Sequence, residues 1–191
     1  MARPRQFDEA AVLAAALDVF WSNGYERTSI ADLAAATGIA NGSLYAAFGS
    51  KHALFLRVLD WYCAGRVEIV RDAMATSGSA DAAIGALFDA IVDDCAAQPD
   101  RRGCLMLNTL AEFGSRDAEV LAVCRRANDG MERAIADRLA GAVPGASVDV
   151  DELAAQVLVV TQGLIQASRL ETPAGELRAV ARGYRELLPI A

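Results

Sequence analysis

Apolar residues recur every three or four positions along most of this chain, which is the spacing of amphipathic helices. The pattern is interrupted where Gly, Pro, Ser and Asp cluster, and such clusters mark turns. We find no convincing run of alternating β-branched residues that would indicate a strand. The chain is therefore predicted to be all-α, with about nine helices.

Two short helices joined by a tight turn are predicted between residues 28 and 48. In the first helix Ile30 and Leu33 share one apolar face, and either Thr28 or Ser29 is placed to cap its start. Gly38 is placed to end this helix in a left-handed conformation.

The second short helix is expected to start at Asn41 or Ser43 and to turn Leu44 and Phe48 inward. Its outward side chains are short, so a backbone or a nucleic-acid groove can approach closely. Ser50 caps a third helix. This arrangement fits a helix-turn-helix over about residues 29–48, in which the second helix enters the DNA major groove. An ordinary helical hairpin would show the same spacing.

Long amphipathic segments fill the rest of the chain. The helix that opens at Lys51 is expected to continue to about residue 75, without a flexible linker behind the helix-turn-helix. Five further helices are predicted over residues 80–97, 104–113, 117–139, 149–168 and 173–188.

The first sixty residues carry a dense resemblance to the amino-terminal DNA-binding domain of the TetR/AcrR family of bacterial transcription regulators. The resemblance covers about residues 7–60 and implies a three-helix DNA-binding domain over 1–50, followed by a helical-bundle ligand-binding and dimerisation domain over 51–191. It rests on Ala15, Phe20, Gly24-Tyr25, Thr28 to Ala34, Gly38-Ile39, Ser43 to Tyr45, Phe48, Ser50-Lys51 and Leu54.

The resemblance implies a homodimeric repressor, not an enzyme, that binds a palindromic double-stranded operator and is released from it by a small hydrophobic effector. Tyr45 and Lys51 would touch DNA phosphates, and residues 41–47 would read the groove. The full set of expected DNA-binding residues is Arg3, Arg5, Thr28, Ser29, Asn41, Gly42, Ser43, Tyr45, Lys51 and His52.

The last two predicted helices each carry an apolar stripe, and Gly163 and Gly183 would permit close backbone approach. These stripes either bury in the core of their own subunit or, as the resemblance favours, form a four-helix dimer interface. The expected interface residues are Leu153, Val157, Val160, Leu164, Leu177, Val180 and Tyr184.

The formal net charge of −7 argues at first against a DNA-binding protein, since such proteins are usually basic. Residues 1–52 account for only −1 of that charge, so most of the acidity belongs to the carboxy-terminal part. Arg3, Arg5 and Lys51 supply a local positive patch, and helix amino-termini add N–H donors for phosphate.

Catalytic and metal-binding motifs are not evident. One His and four scattered Cys without a Cys-x-x-Cys motif predict no metal site, and we expect no cofactor. Cys104 follows Arg101-Arg102-Gly103 at a predicted helix start, where arginines and the helix dipole favour the thiolate. The surrounding sequence resembles a TetR subgroup with Gly-Cys-Leu at this place. Cys104 is therefore either an electrophile or redox sensor, or a buried core residue.

An effector pocket is expected inside the carboxy-terminal domain, although each candidate would serve equally well as plain core. The candidates are Trp61, Tyr62, Phe88, Cys104, Met106, Leu107 and Phe113. Because no apolar run reaches the length of a membrane span and the amino terminus lacks a signal-peptide core, we expect a cytoplasmic protein.

Overall fold

The computed structural model describes residues 7–98, 100–143 and 149–190. All regular structure within these residues is helical, which confirms the all-α prediction. The helices are α1 (Glu9–Asn23), α2 (Ile30–Thr37), α3 (Asn41–Phe48), α4 (Lys51–Met74), α5 (Ala80–Ala97), α6 (Leu105–Phe113), α7 (Ala118–Leu139), α8 (Val150–Ser168) and α9 (Ala174–Arg185).

Local capping explains where the first helices begin and end. The Asp8 carboxylate accepts the amides of Ala10 and Ala11 at the start of α1. The Ser50 hydroxyl accepts the Ala53 amide at the start of α4, as predicted. Helix α3 begins at Asn41, but its N-cap is Ala40, which offers no side-chain acceptor.

The packing divides the chain into two units, which are described separately. The first unit contains residues 7–63 and Leu105–Cys124, so α6 and the first turns of α7 pack with α1–α3. This division differs from a single boundary near residue 50, because a segment distant in sequence completes the core around the helix-turn-helix.

The second unit contains residues 64–104 together with the described residues from 125 onward. Within it α5 packs against both α8 and α9, and α8 also packs against α9. Its core is built from aliphatic side chains such as Ile84, Leu87 and Leu158, all less than 3% exposed. No described helix combines the length and apolar content that a membrane span requires.

Candidate nucleic-acid interface

Helix α3 presents a surface of short side chains and one aromatic ring. Leu44 is buried beneath it, whereas Asn41, Gly42 and Tyr45 are exposed, Tyr45 by 50%. Ser43 is partly exposed. A helix with this face allows close approach to a groove, and its amide and hydroxyl groups are donors and acceptors for base edges.

Helix α2 is held at both ends by the residues that the sequence singled out. Ser29 and Asp32 form a capping box, in which the Ser29 hydroxyl accepts the Asp32 amide at 3.1 Å and the Asp32 carboxylate accepts the Ser29 amide at 2.8 Å. The hydrogen bonds from Ser29 lower the pKa of the Asp32 carboxyl. Gly38 ends the helix with φ +70°, as predicted.

The turn before α2 is closed by two residues that the sequence assigned to DNA contact. Thr28 is 1% exposed and donates its hydroxyl to the Gly24 carbonyl at 2.6 Å, so its side chain is used inside the turn. The Lys51 ammonium donates to the Tyr25 and Thr28 carbonyls at 3.0 and 2.9 Å and lies 4.1 Å from the centre of the Tyr25 ring. One of its three N–H donors is left for a phosphate.

Replacing Lys51 by alanine should therefore lower the free energy of unfolding by about 2 kcal/mol, because two carbonyls lose a charged donor. Urea unfolding measures this change. Arg57→Ala is the matched control, since the described contact of Arg57 is an exposed ion pair with Glu9, whose loss should cost less than about 1 kcal/mol. Equal urea midpoints for the two variants would show that Lys51 does not hold the turn.

Glu112 of α6 accepts hydrogen bonds from backbone amides of the same turn, and the sequence analysis did not predict this role. Its carboxylate accepts the Tyr25 amide at 2.9 Å and the Glu26 amide at 2.8 Å. Gly24 makes room for it, because a Cβ at this position would lie 3.0 Å from Glu112 Oε2, and its φ of +79° is one that other residues rarely adopt. The Gly-Tyr pair was a signal for this site, but nothing in the sequence pointed to Glu112 as its partner.

His52 contacts the start of α7. Its Nε2 lies 2.7 Å from Asp117 Oδ2, and its Nδ1 lies 3.9 Å from Glu119 Oε2. Asp117 also caps α7 by accepting the Val120 amide. This hydrogen bond is the main cause of the lowered pKa of the Asp117 carboxyl, and the contact with His52 lowers it further. His52 was expected at the DNA, but the structure commits Nε2 to Asp117.

These three side chains form a group of possible metal ligands within the described residues. The two carboxylates face different ring nitrogens, however. That geometry suits a histidine ring held between two carboxylates better than one ion shared by all three side chains.

An aromatic cluster fills the space between the turn and α6. The ring centres of Tyr25 and Phe55 are 5.0 Å apart, those of Tyr25 and Phe113 are 5.1 Å apart, and those of Phe55 and Phe113 are 5.5 Å apart. Burial raises the pKa of the Tyr25 phenol, and the nearby Glu26 carboxylate raises it further. The turn is therefore fixed by side-chain packing as well as by Glu112 and Lys51.

The expected dimer-interface residues are placed unequally. Four of them are at most 4% exposed within their own chain, so they pack in its core and are unavailable to a second subunit: Leu153, Val157, Leu164 and Leu177. Val160 and Tyr184 are partly buried, and burial raises the pKa of the Tyr184 phenol. Val180 is 60% exposed.

The expected effector-pocket residues lie in both units. Tyr62, Met106 and Phe113 are buried in the first unit, where Leu107 is partly exposed and Trp61 is 44% exposed. Phe88 and Cys104 are buried in the second.

Cys104 has the burial expected of the core residue that was one of its two predicted roles. It is only 6% exposed. The Arg101 guanidinium donates to the Ser168 carbonyl at 3.0 Å, and Arg102 lies 3.8 Å from the Asp100 carboxylate. Arg3 and Arg5 lie outside the described residues.

Comparisons with known proteins agree along nearly the whole chain. Residues 12–58 match the profile of bacterial regulatory proteins of the tetR family, and residues 81–184 match the tetracyclin repressor-like C-terminal domain. The chain is 30% identical to the HTH-type transcriptional repressor ComR of Escherichia coli, over 98% of this chain and 91% of ComR. It is 32% identical to the uncharacterized HTH-type regulator YezE of Bacillus subtilis, over 81% of this chain and 82% of YezE.

Among solved structures, a cysteine variant of the TetR family regulator CifR bound to 26-bp double-stranded operator DNA superposes with a TM-score of 0.86. That chain is 30% identical to this one, and the match covers 98% of this chain and all of the other.

Proposed function

This chain belongs to the TetR family of bacterial regulatory proteins, and from that membership we propose that it is a repressor released from its operator by a small hydrophobic ligand. It is a DNA-binding transcriptional regulator and not an enzyme. The observation that carries the proposal is the exposed, small-residue face of α3, supported by a turn that Glu112 and Lys51 hold from both sides.

Direct base contacts are assigned to Asn41 and Ser43, and a phosphate contact to Tyr45, whose phenol is exposed beside them. Gly42 lets the backbone approach, and Ser29 is exposed at the start of α2. Residues 1–50 form the DNA-binding domain in this proposal, and residues 51–191 carry ligand binding and dimerisation.

Replacing Asn41 or Ser43 by alanine should change which operator sequence is preferred, because each lost base contact is worth about 1–3 kcal/mol at one position. Selection of bound fragments from a random DNA pool measures the change. Tyr45→Phe is the control, since it should weaken operator and random DNA together. Selection of the unchanged motif by both alanine variants would remove these residues from base reading, and failure of the unaltered protein to select any motif would overturn the proposed function.

We assign the dimer interface to the exposed faces of α8 and α9. Val159 is 64% exposed on α8, and Val180 and Leu187 are 60% and 79% exposed on or just beyond α9. Gly163 and Gly183 have open space where a Cβ would lie. Exposed apolar side chains beside such glycines suit two-fold helix packing, which also pairs two reading helices on a palindrome.

The burial of Cys104 favours a non-covalent ligand over a thiol sensor, because an electrophile would have to open the core to reach it. Membership of the Gly-Cys-Leu subgroup stays a proposal that rests on Gly103-Cys104-Leu105. The half-buried Cys95 is no better candidate, since burial raises its pKa and so disfavours the reactive thiolate.

A further inference from the structure

A groove opens in the second unit between the carboxyl-terminal turns of α4 and of α7. The two helices approach closely at Gly130, where a Cβ would lie 3.4 Å from both methyl groups of Val67. Past this point they border an open groove of about 440 Å³, which falls in the size range of small-ligand sites. Its lining includes Arg71, Met74, Arg133, Ala134, Asp137 and Arg138.

Three guanidinium groups and one carboxylate line this groove. Arg138 is fixed at one end, because its Nη2 donates to the Thr76, Gly78 and Ser79 carbonyls at 3.2, 2.6 and 3.2 Å. Its Nε is buried and has no hydrogen-bond partner among the residues that the structure describes. Arg138 therefore holds a positive charge in place at the groove.

The other two arginines are more exposed. Within the part of the chain that the structure describes, Arg71 pairs only with Glu68 on its own helix, at 2.6 Å, and such a solvent-exposed pair is weak. Arg133 has no ion-pair or hydrogen-bond partner among the described residues. Both guanidinium groups are therefore available to a ligand at little cost in lost contacts.

We propose that this groove binds a small organic anion, whose acidic group lies between Arg71 and Arg133. Planar guanidinium groups bind carboxylate and phosphate through paired hydrogen bonds, which makes arginine better suited to such a ligand than lysine. The apolar part of the ligand packs on Met74, which is 5% exposed, and on Ala134. Asp137 disfavours a second acidic group, so the ligand carries one.

A regulatory role for this groove rests on the proposed function. It makes the hydrophobic ligand of that proposal an amphipathic anion. The ligand bridges α4 and α7 and so favours the arrangement of these helices that brings Arg71 and Arg133 together. The other end of α4 carries Lys51 and His52, and α7 begins beside Asp117. Both helices therefore connect the groove to contacts around the DNA-binding turn, and a difference in ligand affinity between two helix arrangements becomes a difference in operator affinity.

The test uses anilinonaphthalene sulfonate as an anionic, apolar probe and follows its fluorescence on titration with the full chain. We expect one probe per chain, with affinity that falls as salt is added. Arg71→Ala combined with Arg133→Ala should weaken binding at least about tenfold, since two charged contacts are lost. Arg125→Ala, an exposed arginine of α7 outside the groove, should leave binding unchanged.

Uncharged N-phenylnaphthylamine separates the groove from a purely apolar site. If it binds as tightly as the sulfonate, or if the double variant keeps full affinity for the sulfonate, the proposal is overturned.

Operator titration with and without the sulfonate probe is a separate experiment, which tests the regulatory role. Loss of operator affinity in the unaltered chain but not in the double variant supports the regulatory role, and probe binding without any change in operator affinity overturns that role. If the unaltered chain selects no DNA sequence, the proposed function is wrong, whatever the result of the probe titration.

Discussion

Replacing Glu112 by alanine is expected to lower operator affinity by about tenfold to a hundredfold while the chain still folds. The Tyr25 and Glu26 amides would lose a shared carboxylate acceptor, and hydrogen bonds to a charged group are worth about 1.5–3 kcal/mol each. Water replaces part of that at Glu26, which is exposed, but less at the partly buried Tyr25. Since about 1.4 kcal/mol corresponds to a factor of ten, a loss of 1.4–2.8 kcal/mol of preorganisation gives the stated range.

The affected amides belong to the turn that precedes Ser29, the N-cap of α2. A loosened turn lets α2 and α3 sample orientations that do not fit a major groove, so the operator must select a less populated arrangement. Fluorescence anisotropy with labelled operator measures the affinity. Amide hydrogen exchange at Tyr25 and Glu26 measures the loosening directly, and it should rise more than exchange in α5.

Two variants make the assignment specific. Glu119→Ala removes a carboxylate that is 74% exposed and lies 3.9 Å from the Nδ1 of His52, so it should leave operator affinity nearly unchanged. Glu112→Gln keeps one acceptor oxygen and should fall between the alanine variant and the unaltered chain. Faster exchange at both amides together with unaltered operator affinity would show that Glu112 stabilises the turn without positioning the reading helix.

The sequence predicted the helices well because their limits are set locally. Ser29 and Gly38 lie at the two ends of α2, and Ser50 lies just before α4, so a window of a few residues contains the cause of each boundary. The contact of Glu112 spans 87 positions to Tyr25, and no periodicity reports such a pairing. The same limit applies to His52 and Asp117, whose side chains meet across 65 positions.

Residue type alone does not decide where one chemistry serves two purposes. A lysine after a helix-turn-helix suits a phosphate, but the same ammonium suits the carbonyls at the end of a turn, and Lys51 donates to two of them. Thr28 offers a hydroxyl for DNA or for the Gly24 carbonyl, and burial commits it to the second. Only the three-dimensional arrangement of the backbone decides between such uses.

The apolar stripes of α8 and α9 show what periodicity does and does not contain. Leu153, Val157 and Leu177 were correctly expected to lie on apolar faces, but α5 and the neighbouring helix cover those faces within one chain. A stripe indicates which side of a helix avoids water and does not indicate which element covers it. On α8 the exposed Val159 lies opposite the buried stripe, whereas on α9 the exposed Val180 lies at the edge of the stripe that holds the buried Leu177, so the proposed interface is argued from exposure.

The substitution Val159→Asp should therefore separate the proposed dimer and abolish operator binding at concentrations where the unaltered chain is bound. Val159 is 64% exposed on α8, next to Gly163, so in a four-helix interface its substitution places a carboxylate in an apolar seam. An unpaired buried charge costs several kcal/mol, and two-fold symmetry applies that cost twice. A loss of at least about 4 kcal/mol corresponds to a dimer dissociation constant raised about a thousandfold. Sedimentation velocity measures the fraction of dimer, and anisotropy measures operator binding in the same samples.

Ala122→Asp adds the same charge at an exposed position of α7 and should change neither quantity. An intact dimer in the Val159→Asp chain would move the interface away from α8. A monomer that still binds a full palindrome with unaltered affinity would show that pairing of the reading helices does not depend on this surface.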